Sequence, residues 1–286
     1  MTDPRLTPFS GQVALTRLRG QIDAPAFAEG RKMRLCSPLA DLCRGPEGPR
    51  DRQLLRGAAV TLIDTQGPMA YVQGAQDGYC GWVRAAALGP DHSITHRVCA
   101  RATNLYTRPD LKSPDVATLS LNTQVEVTDA QSRFLRTHDG LWLPEQHLAP
   151  IDQPETDPVR VAESLIGTPY LWGGNSHAGL DCSALVQLAL HACGRPCPGD
   201  SDLQERALGP CLPDGTPPQR GDLLFWRGHV AWVSAPDTII HANAHTMSVA
   251  FEPLRAAIDR IARGSPVTAH IRLGQRPRGS TARFRP

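Results

Sequence analysis

The chain has 286 residues, of which 41% are hydrophobic and 20% charged, a composition typical of a folded protein with two or three domains. Its 30 basic and 28 acidic side chains give a net charge of +2, which offers no electrostatic basis for binding nucleic acid or an anionic membrane. The N-terminus has no cationic segment leading into an apolar one, and no apolar run approaches the roughly 20 residues that span a bilayer. We therefore expect an unexported, cytoplasmic protein that binds neither nucleic acid nor membrane.

The cysteines are scattered and form no paired CxxC units, so that neither a disulfide framework nor a zinc framework is predicted. Reduced thiols are consistent with the cytoplasm. Cys193 and Cys197 are close enough in sequence to share a metal, but small buried side chains are the favoured interpretation. The eight cysteines are Cys36, Cys43, Cys80, Cys99, Cys182, Cys193, Cys197 and Cys211.

Two stretches of the N-terminal half look like copies of one unit. "MRLCSPLADLCRGP" aligns with "HRVCARATNLYTRP", which matches Cys36 with Cys99 and Leu42 with Leu105 at a constant offset. Each copy continues into a β-type run, "AAVTLID" or "TQVEVTD", and closes with an aspartate-glycine turn before an aromatic residue. Short strands with frequent turn residues predict two small β-barrels, with chance similarity as the alternative.

The segment "DGYCGWV" resembles the late strand of the bacterial SH3-like barrel. The residues that carry this resemblance are Asp77, Gly78, Tyr79, Gly81, Trp82 and Val83. After the second copy in the sequence, a proline-rich stretch disfavours both helix and strand and predicts a domain boundary. The predicted order is an N-terminal segment at 1–30, barrels at 31–90 and 91–150, a linker at 151–157 and a C-terminal domain at 158–286.

Two helices are predicted in the C-terminal domain. Asp157 caps and Pro158 starts the first, which runs through Ile166 and is closed by Gly167. In the second, "CSALVQLALHAC", polar residues recur only every fourth position, which predicts a helix buried nearly all round. Asp181 is a good N-cap and Gly194 a good terminator.

Cys182 then lies in the first turn, where free N–H groups and the helix dipole are expected to lower the pKa of the thiol. Such a thiol is a candidate nucleophile. A buried structural cysteine is the alternative.

The stretch "GDLLFWRGHVAWVSAPDTIIHANAH" predicts three short strands, with turns at Gly228 and at 235–237. A hairpin about Ala235 places His229 and His241 opposite each other on one face. With Cys182 they form a candidate series of nucleophile, base and orienting residue. His245 is the alternative third member.

The segments "GTPYLWGGNSHAGLDCSALVQ", "GDLLFW", "GHVAWV" and "IIHA" resemble the NlpC family of papain-like cysteine peptidases, which cut γ-D-glutamyl bonds in bacterial cell-wall peptides. The resemblance implies an α+β fold: a papain-like peptidase domain, preceded here by two small SH3-like β-barrels. It assigns Cys182 as nucleophile, His229 as base and His241 as the residue that orients the base.

The same resemblance implies that Tyr170, Asp181, Ser183 and Ser201 contact the substrate. Asp181 would pair with a substrate ammonium, or would only cap the helix. Backbone N–H groups near Cys182 are the expected oxyanion donors. Tyr79 is a candidate contact from the first barrel, with a role in the barrel core as the alternative.

Family members with two barrels and no export signal resemble enzymes that recycle murein peptides, where a barrel roofs the cleft and admits only a free N-terminal L-alanine. We therefore expect murein-derived peptides, L-Ala-γ-D-Glu-diamino acid, as partner and substrate, and no cofactor or metal. The oligomeric state stays open. The alternatives are a wall endopeptidase or amidase with wall-binding barrels, a non-catalytic murein-peptide binding protein, and a zinc site made of Cys182, His229 and His241. The basic tail "RPRGSTARFRP" is expected to be a solvated end.

Overall fold

The computed structural model describes residues 3–274 and divides the chain into two compact units, Met1–Gln153 and Pro154–Pro286. The basic tail lies outside the described residues. None of the helices within 3–274 combines the length and the apolarity that a membrane span requires.

The N-terminal segment of the first unit contains two short strands that pair in parallel, β1 Val13–Leu15 and β2 Ala26–Ala28. Seven strands follow and form one antiparallel sheet in the order β5-β4-β8-β7-β6-β3-β9. They are β3 Arg31–Leu35, β4 Leu39–Cys43, β5 Arg50–Leu55, β6 Ala59–Gln66, β7 Met69–Gly74, β8 Cys80–Arg84 and β9 Leu88–Pro90. Their inward side chains form a core of Leu42, Val60, Ala70, Val72, Tyr79 and Val83.

The rest of the first unit is built from eight further strands in two sheets, β13-β10-β17 and β12-β11-β16-β15-β14. They are β10 His96–Val98, β11 Ala102–Tyr106, β12 Asp115–Ser120, β13 Gln124–Val125, β14 Val127–Gln131, β15 Phe134–Thr137, β16 Trp142–Pro144 and β17 Leu148–Pro150. Leu105 lies in the core of these sheets as Leu42 does in the core of the first, so the aligned leucines have the same packing role.

The two strand regions of the first unit meet at Gly57. Its φ of +82° is unfavourable for a side chain, and a Cβ here would lie 2.2 Å from the carbonyl oxygen of Gln124. The N–H of Gln124 donates to the carbonyl of Arg56 at 3.0 Å. Glycine is therefore required at position 57 because the backbones approach each other so closely.

The second unit contains four helices within the described residues: α1 Pro158–Glu163, α2 Cys182–Ala192, α3 Ser201–Ala207 and α4 Leu254–Ile261. Asp157 caps α1 as predicted, accepting from the N–H groups of Val159 and Arg160. The helix stops at Glu163 rather than at the predicted Ile166, because Ser164 Oγ donates back to the carbonyl of Val161 and the last turn tightens. The buried helix α2 is confirmed and ends before Gly194, which has a φ of +61°.

A five-stranded antiparallel sheet in the order β23-β22-β21-β20-β24 packs against α2. Two strands of two residues each, β18 Asn175–Ser176 and β19 Gly179–Leu180, pair antiparallel immediately before that helix. The sheet strands are β20 Asp222–Trp226, β21 His229–Ala235, β22 Thr238–Asn243, β23 Ser248–Pro253 and β24 Val267–Arg272. The first three are the predicted strands, and they bring the histidines to the N-terminus of α2.

Candidate active site

The loop before α2 is organised around the carboxylate of Asp181. Its Oδ1 accepts from the N–H of Ala184 and from Ser183 Oγ, both at 2.8 Å, and its Oδ2 accepts from the N–H of Gly173 at 3.0 Å. The first two contacts cap α2, and the third ties in the glycine turn of the "YLWGG" segment. Cys182 is thereby fixed as the first residue of α2.

The Cys182 thiol lies against the start of β21. Only 8% of the residue is exposed, and the backbone N–H groups of Ser183 and Val230 donate to its sulfur. Burial, followed by the charge of Asp181, nevertheless raises the pKa of the thiol to about 12. The N–H groups at the helix N-terminus lower this pKa, as predicted, but desolvation and the neighbouring carboxylate outweigh them, so that the net shift is upward.

The two histidines form a relay that continues to a carboxylate. His229 Nε2 lies 2.8 Å from His241 Nδ1, and His241 Nε2 lies 3.0 Å from Glu252 Oε2. Arg260 holds Glu252 in turn, with its Nε 3.0 Å from Oε1. His241 is fully buried, so the centre of this chain of contacts is shielded from water.

The carboxylate at the end of the relay determines where the protons lie. Arg260 holds the pKa of Glu252 below its usual range, so the group is ionised and can only accept. His241 must then donate through Nε2 and accept through Nδ1, and His229 must donate through Nε2. The remaining nitrogen of His229, Nδ1, carries the free lone pair and is able to act as a base.

Both imidazoles are neutral in this arrangement. Burial lowers the pKa of His229 to about 3 and that of His241 to about 4, although Glu252 opposes the change at both rings. Burial thus favours the neutral form of both the Cys182 thiol and the His229 imidazole.

The predicted contact between the two histidines is confirmed, but not their predicted register. Trp232 pairs with Ile240 and Val233 with Ile239, so the hairpin turns at Pro236 and Asp237 and the pairing shifts by two residues. A shift of two keeps each side chain on its original face, so the rings still meet, diagonally. His245 is exposed in the following turn and does not occupy the place of His241.

Glu252 and Arg260 are site residues that the sequence does not predict. Ala250 on β23 pairs with His241 on β22, which places Glu252 on the same face, one diagonal step away. Arg260 reaches it from α4, eight residues further on. The only available signal was an acidic residue in an alternating strand, and its meaning depends on a register that the sequence does not reveal.

The expected substrate contacts are placed as follows. Tyr170 is half-buried near Cys182 and Asp181, and burial followed by these two groups raises its pKa to about 12. Ser183 Oγ is committed to Asp181. Ser201 begins α3, which Gln204 ties to α2 by donating to the carbonyl of Ser183 at 2.8 Å.

Tyr79 lies in the core of the first sheet and is only 3% exposed, with the guanidinium of Arg52 5.0 Å from its ring centroid. Tyr79 therefore has the barrel-core role that was the alternative to substrate binding, and we do not assign it to the site.

Comparison with protein families identifies both parts of the chain. Residues 42–88 match the bacterial dipeptidyl-peptidase SH3 domain, and residues 167–259, which include Cys182, His229, His241 and Glu252, match the NlpC/P60 family. The NlpC/P60 match thus lies within the C-terminal unit. The recognition of an NlpC-type domain behind an SH3-like one is thus confirmed.

Two curated relatives extend across both parts. The chain is 26% identical over 238 residues to a gamma-D-glutamyl-L-lysine dipeptidyl-peptidase of Bacillus cereus, covering 71% of this chain and 70% of that protein. It is 28% identical over 218 residues to dipeptidyl-peptidase 6 of Lysinibacillus sphaericus, covering 67% and 79%.

Solved structures confirm the fold class. An NlpC/P60 family protein from Bacillus cereus superposes with a TM-score of 0.72 at 21% identity, covering 85% of this chain and 99% of that one. An NlpC/P60 endopeptidase from Photobacterium damselae gives 0.57 at 14% identity, covering 84% and 70%. The α+β arrangement of an NlpC/P60 domain behind a β-rich SH3 region therefore has a close structural counterpart.

Proposed function

We propose that this chain is a cysteine peptidase that hydrolyses the γ-D-glutamyl-diamino acid bond of murein peptides with a free N-terminal L-alanine, releasing L-Ala-γ-D-Glu. The observation that carries the proposal is the relay that ends on the unprotonated nitrogen of His229, next to the strand residue whose N–H contacts Cys182. The substrate class rests on the relatives named as dipeptidyl-peptidases.

Acylation begins from the neutral pair. Cys182 Sγ attacks the γ-carbonyl carbon of D-glutamate while its proton passes to His229 Nδ1, because neither pKa favours a preformed thiolate. The oxyanion forms beside the backbone N–H groups at the start of α2. His229 then protonates the leaving amine, which leaves a thioester, and water attacks that thioester with His229 again as the base.

Glu252 acts as a positioning residue in this mechanism. Through His241 it fixes the tautomer of His229, and its negative charge stabilises the imidazolium that forms during acylation. Arg260 keeps the carboxylate ionised and in place.

Asp181 is proposed to recognise the free α-amine of the substrate by forming an ion pair with it. It lies beside the nucleophile and is only partly buried. Its negative charge raises the pKa of both Tyr170 and Cys182. A substrate α-ammonium would pair with this carboxylate, whereas an acylated amine would leave it uncompensated.

We also propose that the reaction takes place in the cytoplasm. The eight cysteines are all free thiols in the described structure, as expected in a reducing compartment.

The test is incubation of the protein with L-Ala-γ-D-Glu-L-Lys and L-Ala-γ-D-Glu-meso-diaminopimelate, each with a free and an acetylated N-terminus, followed by mass spectrometry. We expect L-Ala-γ-D-Glu from the free peptides and little product from the acetylated ones. Equal cleavage of both forms, or digestion of intact cross-linked wall, would replace the proposal with the wall-endopeptidase alternative. No cleavage of any substrate by a folded protein would leave only a binding role.

A further inference from the structure

We propose that the first unit carries a zinc site made by His92, Glu126 and His138, separate from the candidate active site in the second unit. The three residues lie on different segments of the first unit: His92 follows β9, Glu126 separates β13 from β14, and His138 follows β15. One ligand atom from each lies within 4.8 Å of the other two. Their sequence separations match no metal motif, so nothing in the sequence signals that they converge.

The distances are compatible with zinc after small side-chain movements. Donor atoms bound to zinc at the usual bond lengths in a tetrahedral site are about 3.4 Å apart. The widest separation allowed by the present cluster would then close by about 1.4 Å, which rotation of surface side chains can supply. The His92 and His138 rings already contact each other, with centroids 3.9 Å apart.

The backbone of each ligand is already held. The N–H of His138 donates to the carbonyl of Glu126 at 3.0 Å, which joins two of the three segments directly. Thr95 Oγ1 accepts from the N–H of Val127 at 2.9 Å, and Arg34 Nε donates to the carbonyl of His92 at 2.8 Å. Metal binding would therefore require no reorganisation of the chain.

The orientation of His92 suits a ligand. Its Nδ1 lies 3.3 Å from the carbonyl oxygen of Pro90, so Nδ1 carries the proton and Nε2 presents its lone pair. A ring nitrogen that donates to a backbone carbonyl while the other binds the metal is the usual outer-shell arrangement of zinc histidines.

The charges around the cluster leave Glu126 available. The neighbouring cations each have their own carboxylate: Arg34 pairs with Asp91 at 2.8 Å, and Arg56 pairs with Asp139. Within residues 3–274, the carboxylate of Glu126 forms neither a hydrogen bond nor an ion pair. Two imidazoles and one carboxylate are a ligand set used for zinc, with the fourth position left to water.

The test is a titration of chelator-treated protein with ZnCl2 by isothermal calorimetry, followed by CoCl2 with visible absorption spectroscopy. All variants carry Cys182→Ala, so that the candidate active site contributes no thiolate. We expect one site in this background, and a loss of affinity of about 100-fold or more in His92→Ala, His138→Ala and Glu126→Gln, since even outer-shell substitutions cost 10- to 100-fold.

Two controls make the result specific. Cys36→Ala alters a thiol that lines the same surface depression but lies outside the ligand set, and it should leave affinity unchanged. Thermal unfolding should show a rise in Tm with zinc in the parent and not in His92→Ala, while the two metal-free proteins melt alike. No binding below 100 µM, unchanged affinity in the histidine variants, or loss of binding in Cys36→Ala would overturn the proposed site.

Discussion

Replacing Glu252 by glutamine tests the relay without changing its shape. The amide is the same size as the carboxylate and still accepts from His241 Nε2, but it carries no charge. We expect the catalytic rate to fall because the imidazolium at His229 loses the stabilisation that this charge provides.

The magnitude follows from the geometry. The ring centroids of His229 and His241 are 5.0 Å apart and the second ring is 3.0 Å from the carboxylate oxygen, which places the charge about 9 Å from His229. With an effective dielectric constant of about 20, removing that charge costs about 1.8 kcal/mol, or about 20-fold in kcat/KM. The charge of Arg260 is present in both proteins and does not alter the difference.

The matched control is Glu163→Gln, which breaks a carboxylate-arginine pair of the same kind, with Arg220 at 2.6 Å, outside the relay. It should leave kcat/KM unchanged. Because Glu252 opposes the lowering of both histidine pKa values, its removal should move the His241 pKa further below about 4, as measured by NMR titration. A loss of less than about 3-fold in kcat/KM, or an upward shift of that pKa, would refute the reasoning.

Three further predictions concern the proposed catalytic residues Cys182, His229 and His241. Cys182→Ala should abolish turnover with an unchanged circular dichroism spectrum, and turnover above a few per cent would remove Cys182 as the nucleophile. His229→Ala should cost about 10³-fold or more, while His241→Asn should cost less, since an orienting group can be partly replaced; the reverse order would exchange their roles. Alkylation of Cys182 by iodoacetamide, followed by peptide mass spectrometry, should accelerate about tenfold per pH unit from pH 7 to 10, because its pKa is about 12, whereas a plateau near neutrality would indicate a preformed thiolate.

The local features of the site could be predicted from the sequence because each is encoded within a few residues. Asp181 before an apolar run and Gly194 after it define α2, and short apolar runs bounded by turn residues define β20 to β22. The end of α1 was missed because a single hydroxyl, that of Ser164, decides it.

Features that depend on register or on the surrounding medium could not be predicted in the same way. The partnership of His241 with Glu252 follows from the pairing of β22 with β23, which is a property of the folded sheet. The net pKa shift of Cys182 depends on how much protein covers the thiol, and burial outweighs the lowering by the helix N-terminus.

The raised pKa of Cys182 and the proposed role of Asp181 have one electrostatic origin, and this leads to a last prediction. Asp181 raises the thiol pKa while its charge is uncompensated, so a substrate ammonium that pairs with it would lower the thiol pKa when the scissile bond is in place. Asp181→Asn mimics that compensation and still provides a good N-cap. We expect this variant to alkylate at Cys182 faster at pH 8, because the pKa of its thiol is lower, and yet to hydrolyse the free peptide more slowly. The ratio of free to acetylated peptide cleavage should fall within the variant, since the contact that distinguishes them is gone. If alkylation is not accelerated, the Asp181 carboxylate does not raise the thiol pKa. If the cleavage ratio is unchanged, Asp181 does not bind the substrate α-amine.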